Sequence, residues 1–150
     1  MMTVIVDTRE KARAIRKILK TFDRCGIPHV SSKLWVGDYA RLDNQLTVID
    51  RKQNLNELAG NICEQRFHDE VKRAYAHGVK IVFLVEHGDS IKELIDVLFW
   101  ENPRRKESPK CINGDHLYKS MISMSERYGV EWKFCTKEET GHRIMEILDL

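Results

Sequence analysis

Apolar and polar positions along the chain alternate in blocks that predict strands and helices by turns. Thr3 to Val6 reads as a short buried strand ending at Asp7, and Ile15, Ile18, Leu19 and Phe22 then recur at helical spacing until Gly26 and Pro28 stop the pattern. Val30 to Ala40 and Leu46 to Arg51 read as two strands, with Asp43-Asn44-Gln45 between them as a hairpin turn. Asn54, with Glu57 three residues on, opens a long helix whose apolar positions Leu55, Leu58, Ile62, Val71 and Tyr75 run up to Gly78. Val79 to Val85 is almost wholly apolar, as expected of a strand covered on both faces.

The second half continues in the same style. A helix is expected around Ile91 to Phe99, another around Leu117 to Tyr128, a strand over Val130 to Phe134, and a last helix carrying Ile144, Ile147 and Leu148 behind a Thr136/Glu139 capping pair. Asn102 to Lys110, polar, basic and bounded by prolines, is the one stretch that reads as a mobile loop. The sum is an α/β fold, a central mixed sheet flanked by helices, with no internal repeat and no boundary splitting residues 1–150. Trp35, Trp100 and Trp132 fall on apolar positions and read as core.

Composition narrows the class without naming a function. The 150 residues are 42% hydrophobic and 32% charged, enough for one core. No apolar run is long enough to cross a bilayer, and the amino terminus lacks a secretion signal, so a cytoplasmic protein without a membrane partner is expected. The four cysteines have no metal-site spacing and read as reduced thiols. A formal charge of +2 demands no nucleic-acid partner, although cations cluster at Arg104-Arg105-Lys106 and at Arg13, Arg16, Lys17 and Lys20.

The chemistry concentrates in one hairpin. Asp50 and Lys52 alternate onto the same strand face, and a three-residue turn at 43–45 sets Asp38 opposite Asp50 with β-carbons about 5 Å apart. Two facing carboxylates repel unless a cation sits between them. Mg²⁺, which takes oxygen ligands and keeps several waters, suits two carboxylates plus a backbone carbonyl. Such a metal polarises a phosphate and activates water, and Lys52 beside it orients that water and offsets developing charge. On spacing alone a Gly-Asp turn beside a charged strand end is the readier reading, because Asp-x-Lys is very common.

The ordered set Val6-Asp7-Thr8-Arg9-Glu10, Val36-Gly37-Asp38-Tyr39, Ile49-Asp50-Arg51-Lys52 and Arg66-Phe67 resembles the nuclease domain of the XPF family of structure-specific endonucleases. That family carries Gly-Asp, then Glu-Arg-Lys-x-x-x-Asp, in a restriction-endonuclease-like core that cleaves DNA with Mg²⁺ or Mn²⁺. The match is strongest from Met1 to about Gly88. The resemblance implies Asp38 and Asp50 as metal carboxylates, the Arg51 carbonyl as a further ligand, Lys52 as the catalytic lysine, and Asp7 and Glu10 as additional acidic positions, Asp7 also a metal ligand. Two residues depart from the pattern: Asp50 stands for glutamate, one methylene shorter, and Asn56 stands for the last aspartate, keeping an oxygen but losing a charge.

Other residues carry two readings each. Asp7 and Glu10 also fit a helix cap. Arg66, with Arg51, matches family positions suited to DNA contact, yet an exposed helical arginine needs no such role. Arg104, Arg105 and Lys106 could follow a DNA backbone or simply be solvated. The resemblance thus implies one XPF-like nuclease domain without helix-hairpin-helix or helicase module, of the stand-alone kind encoded by phages and prophages. It implies a metal-dependent DNA endonuclease acting on forks, flaps or junctions, a homodimer, and no small-molecule cofactor. The alternatives are a DNA-binding scaffold of impaired activity, suggested by Asp50 and Asn56, and a Holliday-junction or recombination nuclease built on the same core.

Overall fold

The computed structural model describes residues 2–150, so Met1, from which the sequence resemblance is read, lies outside the described residues. Six strands form one mixed sheet: β1 (Val4–Val6), β2 (His29–Ser31), β3 (Tyr39–Arg41), β4 (Asn44–Lys52), β5 (Lys80–Glu86) and β6 (Glu131–Cys135), in the order β2-β1-β3-β4-β5-β6. β1 runs parallel to β2 and antiparallel to β3, β3 is antiparallel to β4, and β4, β5 and β6 are mutually parallel.

Strand alternation divides the apolar residues between two cores. Val4, Val6, Tyr39, Ile49, Val82 and Leu84 face α1 (Arg16–Arg24) and α6 (Thr140–Ile147), packing with Ile18, Phe22 and Ile144. Ile5, Ala40, Val48, Phe83 and Val85 face α2 (Leu55–Ile62), α3 (Gln65–Ala76) and α5 (Gly114–Tyr128), packing with Leu58, Phe67 and Met121. β5, buried at every residue from Ile81 to Glu86, lies between β4 and β6, as its apolar run predicts. α1 and α6 meet closely at Gly141, where a β-carbon would lie 2.7 Å from Thr21 Cβ.

Several expected elements are corrected. Val30 to Ala40 is two strands separated by a loop, because β2 pairs with β1 and β3 turns back to pair with β4. The hairpin turns at Leu42-Asp43, with Arg41 opposite Asn44, and an irregularity between Ala40 and Arg41 leaves Gln45, Leu46 and Thr47 without partners on β3. Beyond it Ala40 faces Val48 and Tyr39 faces Ile49, the register the sequence argument needs despite its misplaced turn.

The long helix after Asn54 is broken into α2 and α3. Asn54 Oδ1 accepts the Glu57 amide at 2.9 Å, as its capping position predicts. Glu64, however, is extended, and His68 Nε2 meets the Ile62 carbonyl at 2.6 Å. Buried Ile62 and buried Phe67 are five positions apart, which in a continuous helix would point them about 140° apart; the break restores both to the core. Tyr75 consequently lies exposed at the far end of α3. The helix expected over Ile91 to Phe99 contracts to α4 (Leu94–Val97), and the basic loop holds a 3-10 turn at Pro103–Lys106. Buried Asn102 anchors that turn, donating to the Ile112 carbonyl and accepting the Arg104 amide. Trp132 is buried and Trp100 partly so, but Trp35 is 54% exposed, pointing out between buried Leu34 and Val36.

Candidate active site

The edge of β3 and the carboxyl end of β4 build a cleft of about 340 Å³. Gly37 makes this possible: its φ of +80° belongs to the left-handed region, and a β-carbon there would sit 3.0 Å from Val48. Asp38 then replaces a rung of the ladder. Its amide donates to the Ile49 carbonyl at 2.7 Å, its carbonyl accepts the Asp7 amide at 2.8 Å, and its Oδ2 accepts the Arg51 amide at 2.8 Å. Asp38 is thereby tied to β4 and to the residue after β1, and its carboxyl to the Arg51 amide. No protein donor among the described residues reaches its Oδ1.

Asp50 and Lys52 project from β4 on the face of Val48, toward α2 and α3, and Lys52 Nζ stands 3.1 Å from Asp50 Oδ1. Lys52 lies above the Phe67 ring, 5.3 Å from its centroid. Burial alone disfavours a charged lysine, but Asp50 more than offsets it and raises the Lys52 pKa, so Lys52 is a cation and not a base at neutral pH. Asp38 is the opposite case. Burial, reinforced by Asp50 and Glu10, pushes its pKa up to about 8. Burial also raises Asp50, against the lowering pull of Lys52.

Two carboxyls that burial and mutual repulsion keep from ionising together form a set that a cation would restore to the charged state. Their donors are all hard oxygen, which suits an alkaline-earth-type or Mn²⁺ ion over zinc or copper. Among the described residues no group of three or more Asp, Glu, His or Cys side chains gathers closely enough to hold an ion. Two carboxylates therefore leave room for backbone oxygen, water and a phosphate oxygen, so the residues fit such a metal.

The other expected site residues separate into three groups. Glu10 and Arg51 border the cleft, but Arg51 points to the opposite sheet face. There it makes a bidentate pair with Glu10, at 2.8 and 2.9 Å, and reaches Glu86 Oε1 at 2.6 Å, while Thr140 Oγ1 donates to the other Glu86 oxygen. This corrects the reading of Arg51 as a DNA contact: the guanidinium is buried and engaged by two carboxylates.

Asp7 lies behind the cleft and does not line it. Its side chain is 0% exposed, and its oxygens accept the Leu34 amide at 2.7 Å, the Arg9 amide at 3.0 Å and Arg9 Nε at 2.6 Å. Burial opposes ionisation, but these donors outweigh it and lower the pKa. Asp7 thus ties the loop before Gly37 to β1. Asp7 and Glu10 do not cap α1, which starts only at Arg16. Arg66 is 91% exposed beside Glu64, and Arg104, Arg105 and Lys106 sit on the 3-10 turn; none of these four lines the cleft. Asn56 donates to Asn102 Oδ1 at 3.3 Å, toward that turn.

Glu57 and Glu70 complete the acidic lining, with Arg9, Lys11 and Gln53. In the sequence Glu57 stands out only as a capping residue and the neighbour of Asn56. Glu70 is three residues beyond Phe67, hence on the same side of α3, but that relation has meaning only once Phe67 is known to lie beneath Lys52.

A mixed sheet between two helical layers, with two acids and a lysine at the hairpin edge, defines a restriction-endonuclease-like domain. The chain belongs to the ERCC4 domain family, whose family model matches residues 6–147. A curated relative, the 3'-flap repair endonuclease Xpf of Saccharolobus solfataricus, is 33% identical over 73 residues, covering 49% of this chain and 29% of that protein. XPF from Aeropyrum pernix superimposes with a TM-score of 0.69 at 22% identity, over 97% of this chain and 63% of that one. The same protein in complex with DNA gives 0.70 at 21% identity, over 99% and 64%. The chain therefore spans less than two thirds of these relatives, and the structural likeness establishes the shared fold. Among the described residues no helix is long and apolar enough to cross a membrane.

Proposed function

We propose that the chain is a metal-dependent DNA endonuclease domain that hydrolyses phosphodiester bonds at forks, flaps or junctions. The observation carrying this reading is the convergence of Asp38, Asp50 and Lys52 in one cleft, with Asp38 fixed by three hydrogen bonds. Asp38, Asp50 and the Arg51 carbonyl would hold Mg²⁺ or Mn²⁺, which when bound supplies Lewis-acid polarisation of the phosphate and a more acidic water. Lys52, kept protonated by Asp50, places positive charge where the phosphorane-like transition state gains negative charge and donates hydrogen bonds that orient water. Arg51 and Asp7 act as positioning residues. Arg51 clamps β4 to Glu10 and Glu86, and Asp7 holds the loop that delivers Asp38.

The branched-DNA preference is supported by the family and by the flap endonuclease among its relatives. Dimer formation is proposed on the same resemblance, as is the organisation of residues 1–150 as one nuclease domain. The departures at Asp50 and Asn56 weigh little for impaired catalysis, because Asp50 already reaches Lys52 and Asn56 is directed toward Asn102. The test is cleavage of end-labelled single-stranded, duplex, fork, flap and four-way DNA with Mg²⁺ or Mn²⁺. Metal-dependent products, most abundant on a branched substrate, are expected; no cleavage of any substrate with either metal refutes the proposal.

A further inference from the structure

Beside the acidic cleft, on the α1 side of β4, lies a second cavity of about 480 Å³ with cationic walls: Arg13 in the turn before α1, Arg16 and Lys17 in its first turn, and Lys137 before α6. The two cavities share Ala14, Arg51 and Gln53, so one opens alongside the other. Lys17 meets Glu138 at 3.3 Å where both are solvent-exposed, and no ion pair among the described residues engages Arg13, Arg16 or Lys137. Glu86 borders this cavity, but its two carboxylate oxygens are already engaged by Arg51 and Thr140. The result is a surplus of positive charge directly next to a cleft whose lining carries Glu10, Asp38, Asp50, Glu57 and Glu70.

That adjacency solves an electrostatic difficulty. The cleft's five carboxyls face Lys11, Lys52, Arg9, which pairs with Asp7, and Arg51, shared between Glu10 and Glu86, so the cleft attracts DNA poorly until a metal binds. A strand passing from one cavity to the other presents consecutive phosphates, and cations receiving one of them bring the neighbouring phosphate to Asp38 and Lys52. We propose that the cavity formed by Arg13, Arg16 and Lys137 is a phosphate-binding subsite that holds an internal phosphodiester of the DNA strand flanking the one in the cleft. Its contacts are to backbone alone, so the subsite contributes affinity and register without reading base sequence.

This inference rests on the reading that the cleft acts on DNA, and binding measured without metal separates the two. Affinity for fluorescent single-stranded and duplex oligonucleotides, with either a 5′-hydroxyl or a 5′-phosphate, would be followed in EDTA across a salt series. Arg13→Gln/Arg16→Gln is expected to weaken binding about tenfold at low salt and to flatten the log–log salt dependence by about 2 on duplex, irrespective of the 5′ end. Lys137→Gln should flatten it by about 1, and Lys20→Gln, on α1 but outside the cavity, should leave it unchanged. Unchanged slopes in the first two variants overturn the subsite while leaving cleavage by the cleft intact. An effect confined to 5′-phosphorylated strands overturns its assignment to an internal phosphodiester. The expected slope changes in a protein that binds but never cuts DNA support the subsite and count against the nuclease reading alone.

Discussion

Replacing Arg51 with methionine separates what the Asp-Arg-Lys segment does for the fold from what it does for chemistry. The Arg51 side chain is 6% exposed between those of Glu10 and Glu86, which are 10% and 5% exposed. Methionine fills similar volume but leaves two buried carboxylates without their shared cation. Breaking a buried ion pair from one side typically costs about 3–5 kcal/mol, a large part of the roughly 5–15 kcal/mol that holds a domain together. For 150 residues that corresponds to a fall in Tm of roughly 6–20 °C. Urea unfolding followed by circular dichroism measures it. Glu10→Gln/Arg51→Met/Glu86→Gln, which removes all three charges, should recover at least half of the loss, since no unmatched ion remains buried. If Arg51→Met instead unfolds within about 1 kcal/mol of wild type but binds DNA much more weakly, the guanidinium serves DNA and the structural reasoning is refuted.

Other substitutions probe other links in the account. Gly37→Ala places a β-carbon 3.0 Å from Val48 at a φ of +80°; a loss of about 1–3 kcal/mol in urea unfolding, with slower cleavage as Asp38 shifts, is expected. Trp132→Ala should cost about 3–5 kcal/mol, because its ring stacks on Phe83 at 4.6 Å and its Nε1 donates to Met121 and Ser125. Trp35→Ala, at an exposed position, should cost about 0.5 kcal/mol or less in the same experiment. Burial lowers the pKa of His87, whose Nδ1 accepts the Leu55 amide, so its contribution to stability is complete above its unfolded pKa of about 6.5 and is lost as pH falls below it. Unfolding between pH 7.5 and 5 should therefore show wild type losing stability relative to His87→Gln as the pH drops.

The mixed sheet, the helices that flank it and the face shared by Asp50 and Lys52 were legible because each follows from local periodicity, whereas the strand order depends on pairings that periodicity does not encode. β5 shows this most clearly, its apolar run marking the sheet's interior without reference to any partner. The register of Asp38 was legible for a different reason. The turn lies at Leu42-Asp43, not 43–45, and three unpartnered residues on β4 bring the ladder back into the same alignment, which no propensity rule encodes. Arg51 was misread because period-2 alternation says that it points away from Asp50, but not that Glu10 and Glu86, 41 and 35 residues distant, meet it there. The break between α2 and α3 hid Glu70 in the same way, since continuous helical phase puts the residues after Ile62 on the wrong side.

The proposed function places the chemistry on Asp38, Asp50 and Lys52, at a site the rest of the chain holds in place. Single-turnover cleavage of the preferred DNA substrate by Asp38→Asn, Asp50→Asn and Lys52→Met, alongside the unfolding midpoint of each, tests it most directly. Rate losses of about 100-fold or more are expected, with the unfolding midpoint showing each variant still folded under the assay conditions. A wild-type cleavage rate in any of the three would contradict the account.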